Sequence, residues 1–172
     1  MGCGIFSFRK IKSSYGKGEF EIIRKDGSTT DFSYVKCITP RNKEYYVKSA
    51  CRNAISPDIL EFKVKYFREN KDNEGKILCP LTKQKIAINE SHVDHAPPNT
   101  FEFIFRNWKK DRGIDSGSIE IIGGEDGEEK KSFKNHELTK SFIKYHNERA
   151  NLRVVSAIGN LSNSKKQLKD FL

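Results

Sequence analysis

An acid and two imidazoles fall within four positions, His92-Val93-Asp94-His95, and the run stops at Pro97-Pro98. A carboxylate is a hard oxygen ligand for a divalent cation, and an imidazole titrates near neutrality and serves as a base. The pair suits metal-assisted hydrolysis. A second cluster lies far downstream: Asn151-Leu152-Arg153, then Asn160 nine positions after Asn151, then Lys165, Lys166 and Lys169. An imidazole of ordinary pKa contributes on the order of 10² to 10⁴ in rate as general base.

Several elements must position these groups. Residues 91 to 95 read as a strand, preceded by a hairpin over Ile77 to Thr82 and Lys85 to Ile88. Adjacent strand residues face opposite ways, so Asp94 and His95 converge only where the strand bends or ends, which Pro97-Pro98 allows. Asn99 to Arg112 carries Phe101, Ile104, Phe105 and Trp108 at helical spacing and is closed by Gly113, the pattern of an amphipathic helix whose aromatic stripe is core. Asp115 to Lys131, with the acidic run Glu125 to Glu129, reads as an exposed hairpin or loop pointing away from a polyanion. A further helix is expected over Asn135 to Arg149, with Leu138, Phe142 and Tyr145 on one face. His136 and His146 lie on it and are expected as solvated or partly packed side chains, contact of His146 with the site being the lesser expectation.

Upstream, residues 1 to 17 are basic and rich in Gly and Ser and are expected to form a loose arm. Glu19 to Arg24 and Thr30 to Ile38 flank an Asp26-Gly27 turn, the signature of a hairpin. Arg41 to Ala54 has helical spacing, and Ser56-Pro57-Asp58 predicts the N-cap and first position of a new helix. Ile59 to Phe67 fits both a strand alternation and a helical seam, with helix favoured. The polar turn Asn70 to Gly75 marks the expected internal boundary. The expected fold class is α+β, with an N-terminal hairpin-and-helix module over residues 1–70 and a second part over 71–172.

The 32 Lys and Arg against 23 Asp and Glu give a net charge of +9, so nucleic acid heads the expected partners. Mean hydropathy is −0.71 and no apolar run of membrane-spanning length occurs, which predicts no membrane association. The start, Met1-Gly2-Cys3-Gly4-Ile5, lacks the apolar stretch of a secretory signal, and a cytoplasmic location is expected. The four cysteines, Cys3, Cys37, Cys51 and Cys79, form no C-x-x-C pair, which argues against a disulfide framework and a structural zinc site.

Val93-Asp94-His95 with Pro97 or Pro98, taken with Asn151-Leu152, Asn160 and the trailing lysines, resembles the HNH endonuclease family of the ββα-metal fold. The resemblance covers roughly residues 77–97 and 150–169. It implies a ββα-metal core with a long helical insertion at 99–149, Mg²⁺ or Mn²⁺ as cofactor, and DNA as substrate in restriction, phage defence or phage biology. It assigns His95 as general base, Asp94 and Asn160 as metal ligands, and Asn151 as the residue that fixes the loop carrying the base. Lys165, Lys166, Lys169 and Arg153 are the expected nucleic-acid contacts. His92 is a third ligand, a phosphate contact or a structural hydrogen-bonding group; Asn163 is a second metal or phosphate ligand or a helix-surface amide. Where family members usually have a short loop, 55 residues separate His95 from Asn151; closing a longer loop adds entropy only logarithmically. Many members brace the fold with zinc-binding cysteine pairs, of which only Cys79 lies near such a position, so bracing by packing is expected. A homodimer is allowed. Asp26 to Ile38 also looks like the short signature of the plant DCL-like (defective chloroplasts and leaves) family, tied to ribosomal RNA processing. That likeness implies a small α+β module, keeps RNA open as substrate, and supports the rival expectation of a non-catalytic nucleic-acid-binding module.

Overall fold

The computed structural model describes residues 4–12, 18–32, 39, 41–123 and 130–161. They divide into two units, before and after the Asn42–Lys43 junction.

In the first unit, β1 (Ile5–Lys12), β2 (Gly18–Arg24) and β3 (Thr29–Phe32) form an antiparallel sheet in the order β1-β2-β3. The β2–β3 turn is the expected Asp-Gly turn. Gly27 sits at φ +82°, and Asp26 Oδ1 accepts from the backbone and hydroxyl of Ser28 at 3.0 and 2.7 Å. Residues 5–12 are not a loose arm. They pair with β2 along their length, Phe8 opposite Ile22 and Arg9 opposite Glu21, with an Arg9–Glu21 ion pair across the ladder. The strand alternates apolar with polar residues, and pairing to β2 satisfies its backbone, which the Gly- and Lys-rich local composition concealed. Of the expected second strand, residues 33–38 lie outside the described residues.

The second unit is organised on one long helix, α1 (Lys43–Asn70), 28 residues that run straight through Ser56-Pro57. The expected helix break there does not occur. A proline inside a helix removes one rung and crowds the preceding turn, at about 3 kcal/mol. That cost is offset because both halves are fixed by burial: Val47, Ala50, Cys51 and Ile55 before or near it, Phe67 after it. The same burial places α1 with the C-terminal part, so the units divide at residue 42 and not at the polar turn beyond Asn70, where the helix does end.

Two apolar clusters lie along α1. The first joins Val47, Ala50, Cys51 and Ile55 to α2 (Phe101–Asp111), to α3 (His136–Asn147) and to the short hairpin β7 (Ile121–Ile122) with β8 (Ser132–Phe133). All four aromatic-stripe residues of α2 are buried, with Trp108 edge-on to Phe142. Thr100 and Asn135 cap α2 and α3 by accepting from Phe103 N and Glu137 N. The second cluster joins Phe67 to Ile77, Cys79 and Ile86 and to Val154 and Val155. It lies under the hairpin of β4 (Ile77–Leu78) with β5 (Lys85–Ile86) and under the antiparallel pair β6 (Ser91–His95) and β9 (Leu152–Ser156). The described residues are α+β, and the four small sheets among them are all antiparallel. Among the described residues no helix is long and apolar enough to cross a membrane.

Candidate functional site

The register of β6 on β9 runs from Ser91 opposite Ser156 to His95 opposite Leu152, and the Ala96 amide continues it by donating to the Asn151 carbonyl at 2.8 Å. Residues 157–161 are helical. Two segments separated by the insertion are thereby made neighbours: Asp94 meets Arg153, the residue after His95 meets Asn151, and Asn160 meets His92, while Asp94 and His95, adjacent in a regular strand, point to opposite faces and do not converge.

Asp94 stands opposite Arg153, which donates Nε–H and Nη2–H to Asp94 Oδ2 at 2.9 and 2.7 Å. Oδ1 accepts no hydrogen bond from the described residues. On the same strand face, two positions back, the His92 ring meets Asn160: Nδ2 lies 3.4 Å from His92 Nδ1. Both border an open groove of about 400 Å³ against α1, lined also by Ser56, Ile59 and Lys63. Lys63 donates to the Ser91 carbonyl at 2.7 Å, and burial draws its ammonium below the usual lysine range.

The His95 side chain goes to other partners. It lies edge-on to Phe101, and its Nε2 is 2.8 Å from Nε2 of His146 on α3. His146 is buried, not solvated. Its Nδ1 meets Asn147 Oδ1 at 2.9 Å, and Asn147 Nδ2 donates to Asp58 Oδ2 on α1 at 2.6 Å. Burial holds the His95 imidazolium form down, to a pKa of about 4, with the His146 charge acting in the same direction, Asp94 against it and Arg52 with it. Burial lowers His146 as well, opposed by Asn147 and Asp58. Both rings are therefore neutral near pH 7. Arg52 stacks over Phe101, 4.5 Å from the ring centroid, so a fixed cation flanks the aromatic that flanks His95.

Asn151 ties the loop after His95 through its backbone carbonyl; its side chain is exposed. A second tie on that loop comes from Asn99 Nδ2, which donates to the Arg149 carbonyl at 2.8 Å. Asn163, Lys165, Lys166 and Lys169 lie outside the described residues, as does the acidic run.

Beneath the site, Cys79 Sγ accepts from Ser156 N at 3.1 Å and Thr82 N at 3.4 Å, and Ser156 Oγ accepts from Gly159 N at 3.0 Å. Burial raises the thiol's pKa, but the hydrogen bonds from Thr82 and Ser156 outweigh it and bring it to about 6. A Cβ at Gly159 would lie 2.7 Å from Ser156 Oγ and 2.9 Å from Thr82 Cγ2. The turn at 79–82 and the entry to the 157–161 helix are thus in direct contact, and this packing fixes where Asn160 emerges.

Sequence reasoning missed Asp58, Asn147 and the buried role of His146. The last had a signal: Phe142, Tyr145 and His146 stand at i, i+3 and i+4, the spacing of an inward helix face. Among the described residues no three His, Cys, Asp or Glu side chains converge as a metal cluster. Asp94 Oδ1 and the Asn160 amide oxygen are each oxygen donors of the kind Mg²⁺ or Mn²⁺ takes, with Asn160 set against His92, two positions before Asp94 on the strand.

Residues 1–38, within the first unit, match the family described as "Protein of unknown function (DUF3223)", a stretch that reaches none of the groups above. No curated protein and no solved structure matches the chain.

Proposed function

We propose that the second unit is a metal-dependent endonuclease of the HNH type, cutting phosphodiester bonds in DNA, with β6, β9 and the helix from residue 157 as a ββα-metal core. The observation that carries this reading is the pairing of β6 with β9, which brings Asp94-His95 and Asn151 to Asn160 together across the 55 intervening residues. A composition-driven basic protein has no reason to assemble a carboxylate, an amide and a neutral imidazole at one strand pair.

His95 is the base. Kept neutral by burial, it holds a lone pair at physiological pH and takes the proton of the attacking water. Asp94 and Asn160 would hold the divalent ion, which when bound would supply positive charge to the scissile phosphate and its leaving oxygen. Arg153, whose guanidinium is bonded to Asp94, carries the fork that matches two oxygens of a phosphate. Lys63 adds a donor at the groove edge.

The test is plasmid cleavage by the purified chain with Mg²⁺ or Mn²⁺. Cleavage that His95→Ala lowers by about 10²-fold or more supports the reading. Intact DNA in every metal, or equal cutting by His95→Ala, overturns it. The rival reading, a non-catalytic nucleic-acid-binding module, rests on β1, where exposed Phe6 and Phe8 alternate with Arg9 and Lys10, a mix suited to stacking on bases and pairing with phosphates. Salt-sensitive binding without cleavage would favour it.

A further inference from the structure

The contact between His95 and His146 fixes more than position. Asp58 Oδ2 is a carboxylate oxygen, which only accepts, so the Asn147 atom 2.6 Å from it is the amide nitrogen. The Asn147 oxygen then faces His146 Nδ1 at 2.9 Å, and an amide oxygen also only accepts, so Nδ1 carries the His146 proton. A neutral imidazole has one N–H. Nε2 of His146 is therefore a lone pair, and the 2.8 Å contact to His95 Nε2 exists only if His95 donates from that nitrogen. The remaining nitrogen of His95, Nδ1, is left with the lone pair.

We propose that Asp58, Asn147 and His146 form a hydrogen-bonded relay whose role is to position His95 in its Nε2–H tautomer, so that Nδ1 is the atom that accepts a proton. The relay draws on three elements: α1 supplies Asp58, the C-terminal turn of α3 supplies His146 and Asn147, and β6 supplies the base. The 2.8 Å contact has room for one N–H, so the two Nε2 atoms are not both protonated, and the burial of His146 favours its uncharged form, which leaves that proton on His95. The charged groups nearby are Asp94 and Arg52 at His95, and Asp58 behind Asn147. The insertion at 99–149 thereby acquires a task. Its last helix supplies the buried hydrogen-bond partner of the base, as an outer group orients a histidine in many sites. The catalytic meaning of the relay rests on the nuclease reading; the tautomers themselves do not.

Long-range ¹H–¹⁵N imidazole spectra of the full-length, metal-free protein near neutral pH read the tautomers directly. The expected pattern is a protonated Nε2 and bare Nδ1 in His95 and the reverse in His146, each favoured by about tenfold or more. Asn147 is exposed at the end of its helix, so Asn147→Leu leaves the fold intact. That variant removes the acceptor for His146 Nδ1–H and should abolish both preferences, which a purely packing role of Asn147 would not do. A His95 with protonated Nδ1, or a His95 signature unchanged in Asn147→Leu, overturns the proposal. Where the protein cuts DNA, His146→Leu should lower kcat by about 10²-fold with KM little changed. His146→Gln, whose side-chain oxygen accepts the same N–H, should recover most of it, and no difference between the two variants overturns the relay. Correct tautomers in a protein that never cuts DNA would uphold the relay and refute the nuclease reading instead.

Discussion

Replacing Cys79 with alanine tests how the second cluster holds the site. The sulfur is wholly buried and accepts the buried Ser156 amide at 3.1 Å and the Thr82 amide at 3.4 Å. A buried N–H left without an acceptor costs about 1–3 kcal/mol. Thr82 is half-buried and regains water, so only Ser156 counts fully. The void left by the sulfur adds roughly 1 kcal/mol. Cys79→Ala should therefore lose about 2–4 kcal/mol, or roughly 5–15 °C in Tm, read by urea and thermal unfolding followed by circular dichroism. Cys79→Ser keeps an acceptor and should lose less. The acid–base sign gives a second handle. The folded thiol titrates near 6, below its ordinary value near 9. A depressed pKa means that the folded state binds fewer protons than the unfolded state in between. Its stabilising effect is thus complete above about pH 9 and is lost as pH falls toward 6. The wild type should gain stability relative to Cys79→Ala across that window. A Cys79→Ala protein within about 0.5 kcal/mol of wild type, or a difference that is flat from pH 6 to 9, would refute the reasoning. Because Ser156 in turn anchors the Gly159 amide, the same variant should also misplace Asn160 and weaken cleavage.

Two further outcomes follow from the charges around β6. Arg153→Leu removes the cation bonded to Asp94, so calorimetric titration with Mn²⁺ should show binding tighter by about tenfold, a modest fraction of the Coulomb energy of charges at this separation; unchanged or weaker binding would place the cation elsewhere. His95 has a folded pKa near 4, held down chiefly by burial, against about 6.5 when unfolded. Its contribution to stability is whole above about pH 6.5 and is lost as pH falls toward 4. The ceiling at 1.36 kcal/mol per pH unit is about 3 kcal/mol, which solvent access to part of the ring brings to about 1–2. His95→Gln should flatten that part of the stability profile, and an unchanged slope would count against it.

The sequence made some of this legible and hid the rest for identifiable reasons. The stripe Phe101, Ile104, Phe105 and Trp108 was readable because four large side chains at helical spacing admit one inward face, and all four are buried. Ser56-Pro57-Asp58 misled because a cap and an interior proline look alike locally; what decides between them is burial of Ile55 and Phe67 by elements distant in sequence. β1 was missed because its strand character depends on Phe20, Ile22 and Glu21 across the ladder. Asp94 and His95 stood out as reactive types. The link from His95 to His146 could not stand out, since a helix face shows that it is buried without showing what it is buried against. The same holds for Asp58, one of 23 acidic residues and the one that the fold puts beside Asn147.

α1 is about 42 Å long at 1.5 Å per residue, and it runs past both apolar clusters. Such a rod transmits bending as a beam does, with its compliance concentrated where a rung is missing. That rung is at Pro57, and the next residue is Asp58, the far anchor of the hydrogen bonds that end on His95. Flexure of the beam would be felt first at that anchor. The mechanical soft spot of the domain and the tether of His95 are neighbours in the chain.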